Sequence, residues 1–233
     1  EKENLCDDVV RLYLSIPSTQ KFDFLPGQYL NILLKNGKER SFSIANTPAQ
    51  ASQEGLELHI RIVPDGYYSA QVKSSVSIKD IIRIQGPFGT YFLRKDQSQP
   101  IIMIAGGTGF APIKGLIEDV IEDNFSQAIT LYWGARNHQD LYLHEQALKW
   151  AEQIPEFNYI PVLSGDEDNQ AWSGRTGLVH NAIAEDISNA SGFTVYASGP
   201  PVMVDALKDT FRKKGLDDEF FYSDAFDYAA VNE

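Results

Sequence analysis

The feature that most constrains this chain is a change of hydrophobic period near residue 100. Through residues 1–97 apolar and polar side chains alternate. Val10-Arg11-Leu12-Tyr13-Leu14-Ser15-Ile16 shows the pattern, and Tyr29 to Leu34, Arg40 to Ile44, Leu56 to Val63 and Asp80 to Ile84 repeat it between Gly, Pro, Asn and Asp breaks. A period of two turns one face of a strand to a core and the other to water. Some six short strands of this kind read as an antiparallel barrel or sandwich, with a short helix over Tyr68 to Ser75. After Pro100 the run Ile101-Ile102-Met103-Ile104-Ala105 is apolar without a break, as in a strand covered on both faces. A glycine turn follows, then Ile113, Leu116, Ile117, Val120 and Ile121 at helical spacing.

That second pattern recurs to the end of the chain. Strands are expected over Ala128 to Trp133, Phe157 to Leu163, Phe193 to Ala197 and Glu219 to Asp224. Helices are expected over His144 to Gln153, Leu178 to Ile187 and Pro201 to Lys214, the last stopped by Gly215. Alternating β and α units of this length predict a mostly parallel, doubly wound sheet. The reading is therefore two domains, an antiparallel β-barrel over residues 1–97 and an α/β domain over 98–233, joined by a short hinge near Gln97–Pro100. The chain begins abruptly, EKENLCDD running at once into VVRLYLSI, as if a preceding strand or domain had been cut away.

Composition removes several functional classes. A net charge of −12 argues against nucleic acid or an anionic membrane as the main partner, while leaving room for phosphates held by a few local arginines and backbone N–H groups. Cys6 is the single cysteine, so the chain forms no internal disulfide and supplies no four-cysteine iron–sulfur cluster. No signal peptide and no apolar run of about 20 residues is present, which points to a cytoplasmic protein. The histidines, His59, His138, His144 and His180, lack metal-ligand spacing, and no metal site is expected. The sequence assigns no oligomeric state.

Two segments carry chemistry. Ala105-Gly106-Gly107-Thr108-Gly109-Phe110-Ala111-Pro112 lies between the first buried strand and the first long helix. Glycines there let backbone approach a pyrophosphate, and the helix N-terminus offers N–H groups and partial positive charge. A tight strand-to-helix turn without a ligand would use the same residues. Arg40-Ser41-Phe42-Ser43 sits on a barrel strand closed by Asn46-Thr47-Pro48. Its arginine can pair with phosphate, its ring can lie against a flat ring system, and a serine hydroxyl can donate to a ring nitrogen. Gly66-Tyr67-Tyr68-Ser69 follows as a candidate helix start facing a second phosphate.

In order along the chain, Gly27-Gln28-Tyr29, Arg40-x-Phe42-Ser43, Gly66-x-x-Ser69, Gly86-Pro87-x-Gly89, Gly106-Gly107-x-Gly109-x-x-Pro112, Tyr132-Trp133-Gly134-x-Arg136 and Ser198-Gly199-Pro200-Pro201 resemble the ferredoxin–NADP reductase superfamily over nearly the whole length. Within it the chain is similar to bacterial NAD(P)H–flavin reductases and to the flavin/NAD modules fused to plant-type [2Fe–2S] domains, as in CDP-6-deoxy-glucoseen reductases and aromatic-ring oxygenase reductases. The resemblance implies hydride transfer from NAD(P)H to FAD, with FMN or free flavin as substrate the variant. It gives Arg40 the flavin phosphate, Phe42 the isoalloxazine and Ser43 the neighbourhood of flavin N5. His59, Ile60, Arg61 and Val63 would lie along the ribityl or adenosine side, and Gly66 and Ser69 beside the flavin pyrophosphate. Gly107, Thr108 and Gly109 would hold the NAD(P)H pyrophosphate, Arg136 its adenosine ribose, and Ser198, Gly199 and Pro200 the nicotinamide. Phe226 would stand near the ring face where hydride arrives.

Phe42 replaces the tyrosine, and Ser198 the cysteine, of many relatives, which removes a phenol hydrogen bond and weakens positioning at the transfer site. The electron acceptor implied is an iron–sulfur domain or protein outside this chain. The reading from another class is a regulatory subunit that binds flavin and nucleotide without turnover; such a subunit would usually carry its own cysteine cluster.

Overall fold

The computed structural model describes residues 1–63, 72, 76–123, 126–165 and 172–224. The chain forms two compact units, one of Glu1–Arg94 with Ala111–Asn124, the other of Lys95–Phe110 with Phe125–Glu233.

In the first unit the alternating segments become two three-stranded antiparallel sheets. One is ordered β1 (Lys2–Cys6), β2 (Val9–Leu14), β5 (Leu56–Arg61), and the other β4 (Glu39–Ser43), β3 (Tyr29–Leu33), β6 (Ile84–Phe88). Among the described residues one isolated bridge, Ile44 to Leu58, links them. Register shows why the alternation works. Val10 lies opposite Ile60 and Leu12 opposite Leu58. These four, with Leu30, Ile32 and Ile44, fill one core shared by both sheets. The intervening residues of β5, Glu57, His59 and Arg61, point to its other face, with Tyr13, Arg11 and Val9 across from them.

Three departures from the expected elements have local causes. Strand β6 begins at Ile84, where the predicted strand ended, and runs through Gly86-Pro87, a pair that reads as a turn. It is an edge strand of its sheet, where proline's missing N–H leaves no ladder bond unmade; Ile81, expected inside a strand, is fully exposed. Helix α1 (Pro48–Glu54) was read only as a strand stop. Thr47 and Gln50 form a reciprocal capping box with Pro48 in the first turn. Strand β1 pairs with β2 through a register shift between Asn4 and Cys6, which hides its alternation.

The second unit is a six-stranded sheet, every pair parallel, ordered β10 (Arg175–Thr176), β9 (Phe157–Leu163), β8 (Ile129–Ala135), β7 (Ile101–Gly106), β11 (Thr194–Ser198), β12 (Phe221–Asp224). Strand β7 is buried at all six positions, as its unbroken apolar run requires. Helix α2 (Phe110–Glu122) follows β7, α3 (His144–Gln153) precedes β9, α4 (Val179–Asp186) precedes β11, and α5 (Pro201–Lys213) follows it. The chain lays β8, β9 and β10 to one side of β7 and then returns to lay β11 and β12 on the other. The order reverses at β7, and ligands of such sheets bind outside the strands' carboxyl ends at that point.

Phe211 of α5 is fully buried beside Phe221, ring centroids 6.0 Å apart, in the core under α4 and α5. Phe211→Ala should lower the stability of the second unit by about 3–5 kcal/mol, whereas Val202→Ala on the same helix, 78% exposed, should change it little. Chemical denaturation of the two variants measures the difference.

Candidate functional site

In the second unit, the two glycine-containing segments singled out in the sequence meet at the carboxyl ends of β7 and β11. Ser198 is registered opposite Ala105, so the turns leaving both strands start side by side. Gly107–Gly109 forms a single 3-10 turn, with Gly107 at φ +53°. A Cβ on Gly109 would stand 2.2 Å from the Ser198 carbonyl oxygen and 2.7 Å from the Gly199 nitrogen. Gly199, at φ +152°, brings its own missing Cβ within 3.0 Å of Gly106 Cα. These glycines therefore allow backbone to pack on backbone. That contact sets the Gly107–Gly109 turn beside Ser198, Gly199 and Pro200, the last capping helix α5.

Trp133 fixes the turn from below. Its indole N–H donates to the Gly107 carbonyl at 3.1 Å, and its ring stacks on Phe110 at 3.7 Å and 5°. Arg136, just past the end of β8, is exposed, and no ion pair holds its side chain among the described residues. Arg175 differs, since its guanidinium is taken up by Glu185 and Asp186 at 2.8 and 2.7 Å, close to the end of α4. His138, His144 and Trp172 cluster ring against ring, and His144 Nδ1 lies 3.0 Å from the Tyr159 hydroxyl.

In the first unit, Arg40, Phe42 and Ser43 share strand β4. Arg40 donates to the Glu39 carbonyl at 2.7 Å and is half-buried. Phe42 packs against the barrel core, and Ser43, across from Tyr29, is nearly fully buried. On β5, Ile60 turns its side chain into that core. Val63, just past the strand, is half-exposed. Arg61 reaches Asp8 through Nη1 at 3.6 Å, while its Nε and Nη2 are buried with no hydrogen-bond partner among the described residues. Gly66, Ser69 and Phe226, and the helix expected over residues 68–75 apart from Val72, lie outside the described residues.

His59 is part of a buried charge network that the sequence reading missed. Its ring is fully enclosed, with Nε2 2.8 Å from Glu57 Oε1. The other oxygen of Glu57 accepts from Lys114 Nζ at 2.9 Å, and Lys114 also donates to Glu118 at 2.8 Å and to the Ala45 carbonyl at 3.1 Å. All three ammonium N–H bonds are thereby used. Arg11, paired with Glu3, stands 3.7 Å from Glu57. Burial works to raise the Glu57 carboxyl, but the His59 hydrogen bond and the Lys114 charge overcome it and hold the group at about 2. Burial pushes the His59 imidazole down against the pull of Glu57, so the ring is neutral and carries its proton on Nε2. Burial raises Glu118, with Lys114 opposing. Two signals marked this network in the sequence, the i,i+4 pair Lys114 and Glu118 inside an apolar helix and the charged residues of Leu56-Glu57-Leu58-His59-Ile60.

Residues 1–92 match the Oxidoreductase FAD-binding domain family and residues 103–209 the Oxidoreductase NAD-binding domain family. Protein RfbI of Salmonella typhimurium is 45% identical over 221 residues, covering 94% of this chain and 64% of that protein. The CDP-6-deoxy-L-threo-D-glycero-4-hexulose-3-dehydrase reductase of Yersinia pestis is 40% identical over 224 residues, covering 96% and 66%. The crystal structure of the Amycolatopsis cytochrome P450 reductase GcoB superposes with a TM-score of 0.88 at 29% identity, covering 97% of this chain and 67% of that one. The chain thus spans just under two thirds of the length of these two curated relatives.

The network makes a pH-dependent prediction. A histidine whose folded value lies below its unfolded one leaves the unfolded chain binding more protons as pH falls through about 6.5. Stability should therefore decline on acidification from pH 7 to pH 5, each such group contributing at most about 1.4 kcal/mol per pH unit. His144, also held low by burial and by His138, adds to the slope. Denaturation midpoints across this range should show a shallower decline in His59→Gln than in the unsubstituted chain.

Proposed function

Since the chain belongs to the ferredoxin–NADP reductase-like family of FAD- and NAD-binding oxidoreductase domains, we propose that it oxidises NAD(P)H, delivers the hydride to bound FAD and passes the electrons to an acceptor outside the chain. The observation that carries this reading is the glycine edge at β7 and β11. Backbone at the turn after β7, the start of α2 and the Ser198–Pro200 segment converge at the switch point of a parallel sheet, where dinucleotides bind.

The division of labour follows from the residues. FAD, when bound, supplies the chemistry of accepting a hydride and releasing electrons, so the protein needs neither a strong acid nor a nucleophile. Gly107, Thr108 and Gly109 receive the nucleotide pyrophosphate on backbone N–H groups, and Arg136 carries an uncommitted positive charge toward the adenosine end. Ser198, Gly199 and Pro200 orient the nicotinamide. On the flavin side Phe42 lies against the ring system, Ser43 donates its hydroxyl to a ring nitrogen, and Arg40 faces phosphate. Their task is to bring the reacting atoms into line and keep water out. We take the domain boundary to be residues 97 and 98, with the flavin before it and the nucleotide after it.

The acceptor we propose is an iron–sulfur centre on another domain or protein. With a single cysteine this chain cannot itself hold such a cluster, which needs four ligands, so the centre would lie outside it. Two of the similar proteins are named as reductases of a dehydrase and of a cytochrome P450. Among the described residues no helix is long and apolar enough to cross a membrane. We place the activity in the cytoplasm on the acidic, single-cysteine composition.

The purified chain should be yellow or turn yellow with FAD, and anaerobic addition of NADH or NADPH should bleach its visible absorption. Absence of flavin binding overturns the reading. Ser43→Ala should slow flavin reduction in stopped-flow measurements by more than it weakens nucleotide binding; an equal effect on both removes its assigned role.

A further inference from the structure

Met203 lies against both glycine segments of the second unit. Its backbone is fixed in the first turn of α5, where the Met203 and Val204 N–H groups donate to the Pro200 carbonyl at 2.9 and 3.1 Å. Long side chains on a helix lean toward its N-terminus, so this one leans back toward Gly199 and the ends of β7 and β11. A Cβ added to Gly106 would stand 2.6 Å from the Met203 sulfur, and one added to Gly199 would stand 2.7 Å from its methyl carbon. The thioether thus fills the space in which either glycine would carry a side chain. Gly106 leads directly into the Gly107–Gly109 turn. Met203 also packs against the core under α4 and α5.

A thioether suits this place because it is unbranched, polarizable and able to fill an irregular gap between backbone segments. The same group is converted by a mild oxidant into a polar, chiral sulfoxide. The chain has two methionines, and their surroundings differ. Met103, in the middle of β7, has no exposed surface, whereas Met203 is only partly buried. Oxidation of the folded protein is therefore directed to Met203. An oxygen on that sulfur makes the filler larger and polar. It can no longer sit against Gly106 and Gly199 together without pushing on the backbone of the two segments.

We propose that Met203 is an oxidation site that controls nucleotide binding: its sulfoxide loosens the Gly107–Gly109 turn against Ser198–Pro200, and reduction of the sulfoxide restores the contact. This rests on the reading of that turn as the NAD(P)H site and adds a means of switching it. The oxidant is hydrogen peroxide. Its O–O bond breaks, one oxygen forms the S–O bond as the sulfur gives up two electrons, and the other leaves as water with both protons.

The test uses the full chain loaded with FAD, in a Cys6→Ala background that removes the thiol. Peroxide is added without nucleotide, and peptide mass spectrometry follows each methionine. Met203 should gain one oxygen while Met103 stays unmodified until the chain is denatured. Calorimetric titration with NAD+ and with NADP+ should then show affinity reduced about tenfold, the loss of roughly one hydrogen bond's worth of contact, with FAD still bound. The methionine sulfoxide reductases for the two epimers should restore it. Met203→Leu, which has no sulfur to oxidise, should keep its own affinity through the same treatment. Met203→Gln, which puts a polar group in the same place, should bind nucleotide weakly with no peroxide added. Met203 modified no faster than Met103, affinity intact after its oxidation, or a loss that the reductases do not reverse overturns the assignment while the nucleotide reading stands. A chain that binds neither NAD+ nor NADP+ before treatment removes both.

Discussion

Backbone lying directly on backbone at Gly109 and Ser198 is the constraint on which the nucleotide half of the molecule depends. A carbonyl 2.2 Å from where a Cβ would stand leaves no room for any side chain at Gly109. The contact requires β7 and β11 to be neighbours in perfect register, Ala105 beside Ser198. That adjacency in turn requires the chain to complete β8, β9 and β10 and then cross back over the sheet. Close approach at one point thus presupposes the whole parallel topology. Trp133, inserted from the next strand and stacked on Phe110, holds the same turn from its other side.

Legibility in the sequence followed the range of the interactions involved. The β/α series was readable because each element announces itself within about ten residues; His144–Gln153 and Phe157–Leu163 have the bounds that periodicity suggested. The glycine turn was readable for the same reason, although its glycines serve contact between protein segments as much as approach to a ligand. Strand β6 was displaced because Gly86-Pro87 has the composition of a turn, and only its place at a sheet edge lets it pair. Helix α1 was overlooked even though Thr47, Pro48 and Gln50 spell a capping box, since the segment was read as the end of a strand.

The buried charges were illegible for a different reason. Glu57 and Lys114 are far apart in sequence, and nothing local to either says that they meet. The charged residues of β5 look like the solvent face of an amphipathic strand. Here that face is covered by Lys114 and Glu118 of helix α2, so Glu57 and His59 are enclosed. The ammonium of Lys114 also accounts for the Ala45 carbonyl, two residues beyond Ser43, while Asn46 accepts from the Glu57 N–H and donates to the Gly55 carbonyl. The backbone leaving the flavin strand is thereby held by a set of groups whose replacement by apolar residues would leave carbonyls and amides without partners.

The indole of Trp133 has one further implication. It is a fluorophore hydrogen-bonded to the Gly107 carbonyl, inside the turn proposed to receive the pyrophosphate. Its emission depends on that bond and on the Phe110 ring packed against it, which Trp150 also touches, so the protein contains an optical reporter at the nucleotide turn. A ligand that enters this turn meets the hydrogen bond on which that emission depends.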